Sequence, residues 1–143
     1  MHALNRVNAI VRYGNLWRHP KLESTGIDAC DRPYLLYVCR HPNASQDAIS
    51  DALFVNKSSV ARRLAHLEKE GYVTRTPDES DRRVLLVAPT EKALALRPLL
   101  REMSDEWNAI ITEGFSDEEI ALFSDLIARA YANAKQKMKE LVK

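Results

Sequence analysis

Residues 56–75 read NKSSVARRLAHLEKEGYVTR, and residues 77–93 continue PDESDRRVLLVAPTEKA. Asn56 can accept a hydrogen bond from the first free amides of a helix. Val60, Leu64 and Leu67 then follow at the three-and-four spacing of one buried stripe. Gly71 stands where a left-handed cap ends such a helix. Beyond it the period changes. Tyr72–Thr76 and Val84–Val87 are rich in strand formers, and Pro77–Arg83 between them is turn-forming and charged. The stretch predicts a helix followed at once by a β-hairpin with an exposed, basic-tipped loop.

Toward the N-terminus, Ser45 is another N-cap, with Asp47 in the first turn, for a helix reaching about Leu53 that turns Ile49 and Leu53 inward. Only Phe54 and Val55 separate it from Asn56, so the two helices form a helix-turn-helix candidate and the hairpin its wing. Earlier still, Pro33 opens a short helix, PYLLYVCRH, closed by Pro42. The first segment, Leu4 to about Arg18, carries Leu4, Val7, Ile10, Val11 and Trp17 on one face, and His19-Pro20 is expected to end it.

Toward the C-terminus, Thr90 caps a long helix striped by Ala93, Leu96, Leu100, Met103, Trp107 and Ile110 and interrupted by Pro98. Ser116 with Glu119 makes a capping box for a last helix striped from Ile120 through Phe123 and Ile127 to Leu141. These stripes exceed what a small winged domain can cover by itself, and a second subunit is the economical place to bury them. The expected fold is mainly α with a small β-hairpin wing. A winged helix-turn-helix at 33–89 lies between dimerisation helices at 1–22 and 90–143, all in a single domain 1–143.

At 143 residues, with 45% hydrophobic and 29% charged residues, the chain falls among soluble globular proteins of one domain. No apolar run approaches the roughly 20 residues that span a bilayer. The start has no signal-peptide pattern, so a cytoplasmic location is expected, with Cys30 and Cys39 as reduced thiols. A net charge of +1 makes no case for a polyanionic partner. The distribution does: Lys57, Arg62 and Arg63 have no acid among them, whereas residues 102–128 carry eight acids and no base. There is no glycine-rich phosphate loop, nucleophile elbow or paired-carboxylate motif, and the four histidines make no metal-ligand spacing. No enzyme, cofactor or metal is expected.

The two quoted stretches together resemble the recognition helix, wing and wing-to-helix junction of the MarR family of winged helix-turn-helix transcription regulators. The most specific element is Asp81-Arg82-Arg83 with a strand leading to Pro89-Thr90, and the order of elements fits from Leu4 to Leu141. Phe54 stands where glycine is common and Ser50 where alanine is, and residues 26–33 match only loosely. The resemblance implies a homodimer that binds pseudo-palindromic double-stranded DNA as a repressor and is released by a small aromatic or apolar acid.

On that reading Lys57, Ser58, Ser59, Arg62 and Arg63 face the major groove, with Arg62 the candidate for a guanine, while Asn56 caps rather than reads. The resemblance implies that Arg82 or Arg83 enters the minor groove, oriented by Asp81. Ser45, Gln46 and Arg75 are candidate phosphate contacts. Arg12, Tyr13, Trp17, Arg32, Tyr34 and Tyr37 are candidates for an effector site, an arginine holding the carboxylate. Two alternatives keep the fold: an oxidant sensor using Cys30, and a protein-interaction module.

Overall fold

Val60, Leu64 and Leu67 lose all contact with solvent, as their spacing predicts, and the rest of the core gathers on them. The computed structural model describes residues 2–141. Residues 1, 142 and 143, the outer ends of the expected dimerisation segments, lie outside the described residues. The elements in order are α1 (Ala3–Leu22), a 3-10 turn (Glu23–Thr25), α2 (Arg32–Arg40), β1 (Ala44–Ser45), α3 (Gln46–Leu53), α4 (Lys57–Lys69), β2 (Val73–Pro77), β3 (Leu85–Pro89), α5 (Glu91–Ile111) and α6 (Asp117–Leu141). Two compact units divide within α5, the first ending at Asp105 and the second beginning at Glu106.

In the first unit, Leu22 of α1, Leu35 and Val38 of α2, Ile49 of α3, Val87 of β3 and Leu100 of α5 close over the α4 stripe. Each such side chain contributes about 1.5–3 kcal/mol by leaving water. The caps fall where the sequence puts them. Ser45 Oγ accepts from the Ala48 amide at 3.0 Å and Asn56 Oδ1 from the Ser59 amide at 2.8 Å. After α4, Gly71 adopts φ 83°. The amide of Gly71 then donates to the Glu68 carbonyl and that of Tyr72 to the Leu67 carbonyl, a Schellman ending with Tyr72 buried behind it.

Three features differ from expectation. First, α1 runs through Pro20 to Leu22 instead of ending at His19. Proline removes one amide donor, and its restriction on the preceding residue is a bias that the full burial of Leu22 overrides here. Second, α2 begins at Arg32 and ends at Arg40, one residue earlier than read. Third, the wing is a three-stranded antiparallel sheet of order β1-β3-β2, not a lone hairpin. Ala44 and Ser45 pair with Val87 and Leu86, while β2 pairs with β3 from Val73↔Pro89 to Pro77↔Leu85. Two residues are too few to show an alternating pattern, so β1 has no periodic signal.

Thr90 Oγ1 accepts from the Ala93 amide and donates to the Gly71 carbonyl, joining the start of α5 to the end of α4. The helix continues unbroken through Pro98. In the second unit the capping box forms as read: the Ser116 amide donates to Glu119 Oε2 at 2.9 Å, and the Glu119 amide to Ser116 Oγ at 3.2 Å. Phe115 meets Phe123 edge-on with centroids 6.0 Å apart. No described side chain of α6 is buried.

Candidate nucleic-acid interface

The turn between α3 and α4 is held by Ser50. The amides of Phe54 and Val55 donate to its carbonyl, and its hydroxyl donates to the Val55 carbonyl at 2.6 Å. Phe54 itself sits in the left-handed region at φ 53°, where glycine carries no steric cost. Both departures from the family pattern therefore have a local account: the serine staples the turn, and the phenylalanine occupies a conformation it does not favour.

This turn presents the first residues of α4 to solvent. Lys57, Ser58 and Arg62 are exposed and Ser59 is partly so. Arg62 Nη2 donates to Ser59 Oγ at 3.2 Å, which leaves the remaining donors of its fork outward. Lys57 pairs with Asp47 of α3 at 3.4 Å, both side chains largely in water, a contact of little strength.

Arg63 differs from expectation. The sequence predicts it exposed, but its Nη1 donates to Asp28 Oδ2 at 3.0 Å and Asp31 Oδ1 at 3.2 Å. Helix geometry explains the difference: position 63 neighbours the buried Val60 and Leu67 on the cylinder and faces the turn before α2. Burial would raise the Asp28 carboxyl, but the Arg63 hydrogen bond, the Cys30 and Asp31 amides and the Arg63 charge together hold it below its ordinary value. Gln46 and Arg75, the candidate phosphate contacts, hold each other in the free chain. Arg75 Nη1 donates to Gln46 Oε1 and Nη2 to Glu68 Oε1, each at 3.1 Å, so β2 braces α3 against α4. Ser45 is engaged as a cap.

At the wing tip Arg82 and Arg83 are exposed. The loop is shaped by its own hydrogen bonds, the Asp78 amide to the Val84 carbonyl and the Val84 amide to the Asp81 carbonyl. Hydrogen bonds from the Arg83 side chain and amide hold the Asp81 carboxyl below its ordinary value.

The six effector candidates lie on α1 and α2. Arg12 and Tyr13 point to solvent, Trp17 lies under the Lys21 ammonium at 4.5 Å, Arg32 Nε donates to the Leu100 carbonyl, and Tyr37 stacks on His41 at 4.4 Å. Tyr34 alone of the six lines a cavity of about 420 Å³, together with Cys30, Val55, Ser59, Arg62, Arg63 and His66. The sequence gives no signal for this grouping, because it joins the loosely matching turn before α2 to the recognition helix. Cys30 is exposed, while burial pushes the Cys39 thiol up from its ordinary value. Among the described residues no helix is long and apolar enough to cross a membrane.

A MarR family model matches residues 28–84, which span α2, the helix-turn-helix and the wing loop. The chain is 28% identical over 103 residues to the HTH-type transcriptional regulator YybA of Bacillus subtilis (strain 168), covering 72% of this chain and 69% of that one. It is 30% identical to a MarR transcriptional regulator of Methanosarcina mazei Go1, whose crystal structure superposes with a TM-score of 0.87 over 92% of this chain and 95% of that one. A MarR-type regulator of Listeria monocytogenes solved with a 26mer DNA shares the fold, with 22% identity and a TM-score of 0.87 over 96% and 91% of the two chains. These relatives are regulators of transcription rather than enzymes. With its winged helix-turn-helix, its outward-facing basic helix start and these relatives, the chain belongs to the MarR family of helix-turn-helix transcription regulators.

Proposed function

We propose that the protein acts as a homodimeric repressor that inserts α4 of each copy into one of two successive major grooves of a pseudo-palindromic duplex. The observation that carries this reading is the N-terminal face of α4. Lys57, Ser58, Ser59 and Arg62 project from a helix whose opposite side is wholly buried, with the Arg82–Arg83 tip on the same winged unit. A helix start fits the major groove, and an arginine fork matches the edge of guanine. Arg63, Gln46 and Arg75 leave the list of groove and phosphate contacts on this reading. They hold the reading elements in place.

The dimer is supported by apolar side chains that one chain leaves in water. They include Val11 and Leu16 of α1 and Leu122, Leu126, Tyr131 and Leu141 of α6. A second copy covers such surface at favourable free energy. The whole of 1–143 is then one functional domain, with 33–89 reading DNA and 1–22 and 90–143 joining the copies. The effector reading finds its support at the Tyr34 cavity. A small aromatic acid against Tyr34 and Val55, its carboxylate on Arg62, would compete with DNA for the same guanidinium.

A duplex recovered from a random-sequence pool tests the reading. The expected site is two-fold symmetric with half-sites about one helical turn apart, binds two chains, and weakens with salt at a log–log slope of about −0.9 per phosphate neutralised. Absence of salt-sensitive retention on any duplex would overturn it and favour a protein-interaction module.

A further inference from the structure

Asp31 is fully buried, yet its carboxylate touches no solvent and sits at the junction of two elements. Its Oδ2 accepts from the Asp28 amide at 2.9 Å, its Oδ1 accepts from Arg63 Nη1 at 3.2 Å, and His66 Nε2 lies 3.5 Å from Oδ2. Asp28 completes the set, accepting from Arg63 at 3.0 Å and from the amides of Cys30 and Asp31. Arg63 and His66 stand three residues apart, on one face of α4.

The rest of that helix is held by the non-directional apolar contacts of Val60, Leu64 and Leu67 and, near its C-terminal end, by Glu68 accepting from Arg75. The apolar contacts fix how closely the helix packs, but they resist rolling about its own axis only weakly. A hydrogen bond from Arg63 to a buried carboxylate, with the His66 ring 3.5 Å from the same group, does fix the roll. Successive residues of a helix point about 100° apart, so holding Arg63 inward sets the direction of Arg62. We infer that Asp31 is a positioning residue for DNA recognition: it clamps α4 through its hydrogen bond with Arg63, beside the His66 ring, and thereby aims Arg62 at the base edges. This inference rests on the DNA reading above.

The experiment compares affinity for a duplex selected from a random pool with affinity for a scrambled duplex, using the full chain and its Asp31→Asn, Arg63→Lys and Arg62→Ala forms. Asp31→Asn keeps the shape and removes the charge. Arg63→Lys keeps the charge at a partly exposed side chain and removes the fork. Each is expected to cut discrimination about tenfold while leaving the salt slope unchanged, and to change it by less than about twofold when Arg62 is already alanine. A purely structural role would lower the melting temperature without this dependence on Arg62. Folded variants that discriminate like the parent, or that lose as much without Arg62 as with it, would overturn the role of Asp31. A parent that shows no discrimination would sink the DNA reading first.

Discussion

At the wing tip Arg83 is forked onto Asp81, Nε donating to Oδ1 and Nη2 to Oδ2, both at 3.1 Å. The fork fixes one guanidinium in a loop that would otherwise carry two free ones, and it leaves Arg82 as the unforked neighbour. Arg82→Ala is therefore expected to weaken binding to every duplex, most for those with narrow-groove flanks. Asp81→Ala frees Arg83 and removes a negative charge from the interface. Binding to random duplex should tighten while discrimination narrows, which fluorescence anisotropy on paired duplexes measures.

Arg62 and Lys57 should separate in the same assay. Arg62→Ala is expected to cost about 1–3 kcal/mol on the selected site and to relax base preference at one position per half-site. Lys57→Ala should weaken all sequences alike and make the salt slope shallower by about 1.

Two left-handed positions make opposite predictions about stability. A Cβ at Gly71 would find only Lys92 Cδ, at 3.9 Å, so Gly71→Ala costs conformational strain alone, about 1 kcal/mol. Phe54 already bears that strain and is partly exposed. Phe54→Gly should leave stability unchanged or raise it by up to about 1 kcal/mol, because relief of strain exceeds the entropy that glycine adds to the unfolded chain. Urea midpoints at constant slope report both.

The acid limb of stability should depend on Asp28. Its carboxyl is held low in the folded chain, so the unfolded chain binds the extra proton. The stabilisation is complete above the unfolded value, near pH 4, and is lost as the pH falls through the folded one. Asp28→Asn is expected to lower the melting temperature at pH 7 and to flatten its decline as the pH falls below about 4. An unchanged acid limb would show that the Arg63 contact contributes nothing.

Removing residues 128–143 tests the dimer. The remaining half of α6 keeps Ile120 and Leu122 but loses the apolar length that a second copy would cover. The truncated chain is expected to be insoluble or unfolded. A folded monomer by sedimentation would show that the fold does not depend on dimerisation.

Much of the architecture was legible because its signals are local. Asn56, Ser45, Gly71 and the Ser116–Glu119 box act within one turn of themselves, and the α4 stripe needs only its own period. What stayed hidden is what depends on residues far apart in the chain. Arg63 looks like any exposed helical arginine until Asp28 and Asp31 are brought to it. Gln46 and Arg75 are 29 positions apart, and nothing in either neighbourhood announces their contact. The cavity beside Tyr34 stayed hidden for the same reason: aromatic residues at helical spacing predict a face, not a cavity.

The pairing of Ala44 and Ser45 with β3 has a bearing on how sequence can be chosen. Those two residues lead directly into α3, so the strand that carries the wing and the helix that supports the reader share a hydrogen-bonded seam. Arg75 adds a second seam on the other side. On the proposed reading, wing and helix pair would meet a duplex as one braced template, with little freedom to spread or close over grooves of differing width. Accommodation falls to the nucleic acid, whose ease of bending and narrowing varies with base step. Bases that no side chain touches then influence affinity through the elasticity of the duplex.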